Sequence, residues 1–133
     1  MKAVFLDRNT FSPSIDLPAP EGVSDWQVFD ATPNDTATVV ERLRGAQIAI
    51  SNKVLLTRDI IAQSPELKLI QVAATGVNNV DADACKDHGV RLANVAGYST
   101  TSVAEHTFAA ILAAMRVPLS TISKPNPSAN CVF

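Results

Sequence analysis

Cysteine is scarce in this chain of 133 residues: Cys85 and Cys131 are the only two, and neither belongs to a C-x-x-C or to a Cys/His ligand spacing. That excludes a disulfide scaffold and a zinc module, and it leaves two free thiols suited to a reducing compartment. Metal ligation is not expected. Lysine and arginine form no cluster and the formal charge is -2, so neither nucleic acid nor an anionic membrane surface is an expected partner. No stretch approaches the roughly 20 apolar residues of a membrane span. The opening Met1-Lys2-Ala3-Val4-Phe5-Leu6-Asp7 meets an acid too early for a signal peptide. The expected location is the cytoplasm. Glycine is also sparse, with five residues at 22, 45, 76, 89 and 97 that nowhere make G-x-G-x-x-G. No segment runs strand, that loop, helix, so the fingerprint of a dinucleotide-phosphate loop is missing.

What is present is a globular composition, 47% apolar and 18% charged, at a length that supports one domain with a proper core. The stretch from Leu67 to Tyr98 organises the rest. Residues 69–73 form a short apolar run that reads as a strand buried on both faces. Ala74-Thr75-Gly76-Val77 follows as a loop. Asp81 then caps a helix over residues 82–88, which Gly89 stops, and residues 91–95 read as the next strand. Strand, loop, helix and strand in that order imply parallel strands. In such sheets small ligands sit beyond the carboxyl ends of the strands, where this loop falls. Gly76, with no Cβ, lets the backbone turn and bring N–H groups toward an anion, and a carboxylate fits.

The other elements follow the same rhythm. Residues 3–6 read as the first strand, with Asp7 at its carboxyl end, and residues 10–25 as an irregular connection broken by Pro13, Pro18 and Pro20, with room for one short helical turn. Residues 26–29 are strand two. Thr32-Pro33-Asn34-Asp35 is a start signal for an amphipathic helix carrying Val39, Val40 and Leu43, which Gly45 ends. Residues 48–51 are strand three, with Asn52 and Lys53 just beyond it. Thr57 is the expected cap of a helix over residues 58–63, closed by Ser64-Pro65. Alternation of this kind predicts a doubly wound α/β domain with a parallel sheet.

The rhythm changes at Gly97-Tyr98-Ser99-Thr100-Thr101. Ser102-Val103-Ala104-Glu105 reads as a capping box opening a helix that runs to about Arg116. Past its first turn that helix is apolar all round, so it calls for burial on most sides by a second domain or a second chain. Residues 119–133 have no period and read as a loose, irregular tail.

Three segments together resemble the D-isomer-specific 2-hydroxyacid dehydrogenases: Lys-Val-Leu-Leu-Thr-Arg-Asp at 53–59, Ala-Ala-Thr-Gly-Val-Asn-Asn-Val-Asp at 73–81, and Asn-Val-Ala-Gly-Tyr-Ser-Thr-Thr-Ser-Val-Ala-Glu-His-Thr-Phe-Ala at 94–109. The resemblance implies a flavodoxin-like substrate-binding domain over residues 1–98, a hinge and crossing helix over 99–117, and the irregular tail over 118–133. It makes Thr75, Gly76 and Val77 backbone donors to a substrate carboxylate, with Asn52 and Lys53 on the opposite wall. It sets Tyr98, Ser99 and Thr100 at the hinge, near where nicotinamide and substrate meet. The parent reaction is hydride transfer between NAD or NADP and a small 2-oxo or 2-hydroxy acid. The family's nucleotide-binding domain and its catalytic arginine, glutamate and histidine have no counterpart in these residues. The expectation is therefore a truncated chain that binds no cofactor alone, holds no catalytic residue and is inactive by itself, pairing as a homodimer through the helix at 103–115.

An alternative from another class is a non-catalytic carboxylate-binding or oligomerisation module. A receiver-like signalling domain is disfavoured, because Ser51-Asn52 stand where a phosphoacceptor aspartate is required. Lys53 is open to a second reading as a solvated surface lysine. Asn78 and Asn79 read as turn residues, His106 as a capping or packing residue of its helix, Glu105 as a capping partner, and His88 as a polar group suited to a helix carboxyl end.

Overall fold

The computed structural model describes residues 1–116; the expectations for the tail, and for Cys131, lie outside them. Five strands form one sheet in the order β2-β1-β3-β4-β5: β1 Lys2–Phe5, β2 Asp25–Val28, β3 Ile48–Ser51, β4 Leu69–Val72 and β5 Arg91–Ala93. Every pairing is parallel, with Val4 beside Ala49, Ala49 beside Ile70, and Ile70 beside Leu92. This is the doubly wound, flavodoxin-like order, whose reversal at β1/β3 opens a crevice at the carboxyl ends of the strands. The chain divides into two compact units, Met1–Ala96 and a second that begins at Gly97.

Helix α1 spans Thr36–Leu43, α2 Arg58–Ala62 and α3 Ala82–Asp87. Asp35 and Asp81 cap α1 and α3 by accepting the N–H of Thr38 and Ala84 at 2.9 and 2.7 Å. Those bonds satisfy amides that the first turn cannot pair. Gly45 and Gly89 follow the helix ends at φ +72° and +70°, a left-handed conformation that suits glycine. Val39, Leu43, Ile60, Ile61, Ala84 and Cys85 pack against Val4, Ala49, Ile70 and Val72 in one core. Each large aliphatic side chain there contributes roughly 1.5–3 kcal/mol by leaving water.

The structure corrects several expectations. Strands β1, β2, β4 and β5 stop one or two residues before the predicted ends, although the pairing runs on in single bonds such as Leu6 N–H to Ile50 O and Phe29 N–H to Phe5 O. Strand β4 is not buried on both faces: Ile70 and Val72 are buried, whereas Leu69 and Gln71 are half-buried. No helix covers that second face in the first unit. A connection carrying a 3-10 turn at Arg8–Thr10, followed by Phe11, Leu17, Pro18 and Pro20, borders an apolar hollow over Phe5, Trp26 and Ile50 instead. Thr57 precedes α2 without a side-chain cap, and only its carbonyl is used, by Ile61 N–H.

In the second unit, α4 spans Thr100–Arg116 and so starts before Ser102. The capping box does not form, because Ser99 O already accepts the N–H of Val103 at 2.8 Å. Ser102 and Glu105 lie inside the helix, and His106 is exposed, neither capping nor packed. No residue of α4 is buried, so the described residues do not supply the burial its sequence calls for.

Candidate functional site

Two loops leave the sheet side by side, because Ser51 and Val72, the last residues of β3 and β4, are register partners. Between them lies a cleft of about 230 Å³ lined by Asn52, Lys53, Ala74, Gly76, Asn78 and Asn79. Its floor is built from hydrogen bonds. Asn79 Nδ2 donates to Val54 O at 3.1 Å, and the Leu56 N–H donates to Asn79 O at 2.7 Å, tying the two loops together. Leu56 and Val80 add an isolated parallel bridge.

The β3 loop is shaped by a buried acid. Asp7, only 3% exposed, accepts N–H bonds from Asn52 at 2.9 Å, Lys53 at 2.6 Å and Val54 at 3.1 Å, and a hydroxyl bond from Ser51 at 3.3 Å. The sequence placed Asp7 at the strand's end and offered no signal for this role, since its partners lie 44 to 47 residues away.

The β4 loop is open by contrast. The N–H groups of Thr75, Gly76 and Val77 take no acceptor among the described residues, while Thr75 O accepts Asn94 Nδ2 at 2.7 Å and Ala74 O accepts the Val95 N–H at 3.0 Å. Thr75 and Val77 do not line the cleft. Gly76 lines the cleft but does not have a positive φ, and a Cβ there would meet no atom within 4 Å. The expectation that Gly76 permits a sharp turn is therefore corrected: the backbone there is ordinary, and what a side chain would occupy is open space beside the cleft.

Lys53 is exposed and lines the cleft at once. Asn79 has the structural role expected of it. Asn78 stands in the expected turn, which the Val80 N–H closes onto Val77 O at 3.0 Å, and it also lines the cleft with its carboxamide unbonded among the described residues. Tyr98, Ser99 and Thr100 belong to the second unit, where Tyr98 is 71% exposed and the Thr100 hydroxyl donates to Gly97 O at 3.4 Å. Away from the cleft, burial pushes the Cys85 thiol up, and Arg58 holds the Asp87 carboxyl below its ordinary value through a 2.7 Å bond. His88 is the exposed C-cap of α3.

None of the strand-to-helix turns among the described residues carries closely spaced glycines. A parallel sheet in this order, with a cleft at its carboxyl edge, defines a doubly wound α/β domain.

Residues 4–124 match the family described as D-isomer specific 2-hydroxyacid dehydrogenase, catalytic domain, and the chain belongs to that family. A glycerate dehydrogenase of Methylorubrum extorquens is 38% identical over 116 residues, covering 86% of this chain and 36% of the relative. A hydroxypyruvate reductase of Blautia hydrogenotrophica is 32% identical over 114 residues, covering 84% and 35%. Among solved structures, an acyclic imino acid reductase in complex with NADPH and D-Arg superimposes with a TM-score of 0.69 at 27% identity, covering 96% of this chain and 43% of that one. The chain thus spans about a third of the length of the curated relatives it matches.

Proposed function

We propose that this chain is the substrate-binding portion of an NAD(P)-dependent D-2-hydroxyacid dehydrogenase, and that its β3/β4 cleft receives the carboxylate of a small 2-oxo or 2-hydroxy acid. The observation that carries this reading is that Gly76 lines the cleft together with Asn52 and Lys53, and that the N–H groups of residues 75–77 have no acceptor among the described residues. A carboxylate accepts two or three such donors, and a nearby ammonium strengthens the attraction. In the complete reaction, a nicotinamide would supply or take the hydride. This chain's part is to hold and orient the acid. Tyr98, Ser99 and Thr100 act as the hinge that leads from this domain. The reading sets the protein in the cytoplasm, where a buried free thiol such as Cys85 stays reduced.

Alone, the chain binds without turnover. When micromolar chain is mixed with NADH and glyoxylate, hydroxypyruvate or pyruvate, NADH absorbance should fall no faster than the blank, while the amide resonances of residues 75–77 shift on titration with glyoxylate. Turnover that survives exclusion of contaminating host enzyme would overturn the claim of inactivity, and unmoved resonances would overturn the binding site.

A second reading, a non-catalytic oligomerising module, draws on α4. Phe108, Ile111, Leu112 and Met115 recur at helical spacing and are 51–78% exposed, forming an apolar stripe of the kind monomers avoid. Both readings expect a homodimer through residues 103–115. Sedimentation should give twice the 14.1 kDa chain mass, reduced to the monomer by Leu112→Lys.

A further inference from the structure

We infer that Asp7 is the positioning residue of the carboxylate cleft. Its carboxylate fills the N–H cradle of Asn52, Lys53 and Val54 from the inside and so fixes the wall that faces Gly76. This rests on the proposed carboxylate site and adds a residue outside the cleft on which that site depends.

Three consecutive N–H groups converging on one point form an anion-binding nest, which attracts whatever negative group can reach it. Here the nest follows the end of β3, and the open N–H groups of residues 75–77 follow the end of β4, the strand paired beside it. If both were unfilled, a small carboxylate would have two competing seats. Asp7 closes one of them. It is 3% exposed, and its Oδ2 collects three N–H groups and the Ser51 hydroxyl within 2.6–3.3 Å. Bonds to an ionised acceptor are about twice as strong as neutral ones, so the loop is held in one geometry. Asn52 and Lys53 then leave that loop toward the cleft, and the 75–77 donors remain the only open seat of the pair. Ser51 reinforces the arrangement, since its Oγ also meets Val54 O at 3.2 Å and Asn79 Nδ2 at 3.5 Å.

The substitution chemistry separates the role of the acceptor from that of the charge. Asparagine at position 7 can place its carbonyl oxygen where Oδ2 stands, keeping most of the cradle, with its NH₂ at the Oδ1 position that only Asn52 N–H uses. Alanine removes every acceptor and orphans three amides.

The test uses the ¹⁵N-labelled full chain, wild type, Asp7→Ala and Asp7→Asn, titrated with sodium glyoxylate and read at the amides of residues 75–77. The expected result is an affinity roughly ten- to a hundredfold weaker for Asp7→Ala, largely restored by Asp7→Asn, with the β4 and β5 resonances unmoved in the unliganded variants. Rescue by the amide is the readout that a loss of general stability would not give. If wild type binds and Asp7→Ala binds equally well, this inference fails while the carboxylate site stands. If wild type shows no glyoxylate shifts at all, the proposed function fails and takes this inference with it. Should Asp7→Ala not fold, Ser51→Ala removes a single donor to the same oxygen and is expected to weaken glyoxylate about threefold; unchanged affinity there overturns the positioning role.

Discussion

Asn94 holds Thr75 in place across the β4–β5 edge: its Nδ2 donates to the Thr75 carbonyl at 2.7 Å, one residue before the Val95 N–H takes Ala74 O. The Ala74 and Thr75 carbonyls are thereby committed to the segment that follows β5, and the N–H groups of residues 75–77 keep no acceptor among the described residues. Both residues are exposed, so the bond stabilises the fold by little, about 0.5–1.5 kcal/mol. Asn94→Ala is expected to melt within a few degrees of wild type and to bind glyoxylate several-fold more weakly. Calorimetry and an NMR titration on the same sample decide it. Full affinity in the variant would mean that the loop keeps its shape without the tether.

Gly76 and Gly89 should respond in opposite ways to the same added methyl group. Gly89 sits at φ +70° at the end of α3, where an L side chain costs roughly 1–2 kcal/mol. Gly76 has no such constraint and no neighbour for a Cβ within 4 Å. Gly76→Ala should therefore unfold in urea at the wild-type midpoint or up to about 1 kcal/mol above it, and yet lose glyoxylate binding, because the methyl group stands at the cleft. Gly89→Ala should lose stability and keep its ligand. A Gly76→Ala chain that binds normally would remove the close-approach argument for this glycine.

Lys53 carries its charge at the rim, with its backbone fixed by Asp7 and its side chain exposed. Lys53→Ala should change stability by no more than about 0.5 kcal/mol. The affinity for glyoxylate should fall, and its dependence on salt between low and physiological ionic strength should flatten, since screening acts on exposed charges. If the salt dependence is unchanged in the variant, Lys53 is a solvated surface lysine and the N–H groups act alone.

What the sequence disclosed and what it hid divide by the range of the interactions. Asp35, Asp81, Gly45 and Gly89 act on residues three or four away, so the ends of α1 and α3 were legible, as was β3 at residues 48–51. The start of α4 was misread because Ser99, Thr100, Thr101 and Ser102 offer four successive polar starts, and the serine–glutamate pair at 102 and 105 pointed to the last of them. The chain uses the first. The helix-free second face of the sheet was also hidden, since Ile48, Ile50 and Leu69 look as apolar as the core residues but are only half-buried. Strand order and motif resemblance pointed to Asn52, Lys53 and Gly76, which line the cleft, and equally to Thr75 and Val77, which do not. Asp7 was not legible, because a carboxylate at a strand end carries no pattern that names amides more than forty residues later.

Acid should loosen the fold through two carboxylates at helix ends. Asp35 is held below its ordinary value chiefly by the Thr38 N–H it caps, and Asp87 by its hydrogen bond and ion pair with Arg58, which also reaches Asp81 at 3.7 Å. A carboxyl whose folded pKa lies below its unfolded one binds its proton more readily in the unfolded chain. Its stabilising effect is therefore complete above the ordinary carboxylate value of about 4 and is lost as the pH falls below that toward the folded pKa. Both groups are exposed, so solvent and salt limit the effect. The melting temperature should be flat from pH 7 to about 5 and decline below about 4. Asparagine keeps a capping oxygen at position 35 but cannot titrate, so Asp35→Asn combined with Asp87→Asn should melt lower than wild type at pH 7 and converge with it near pH 3. Two melting curves that stay parallel across that range would show that neither carboxylate contributes to the acid limb.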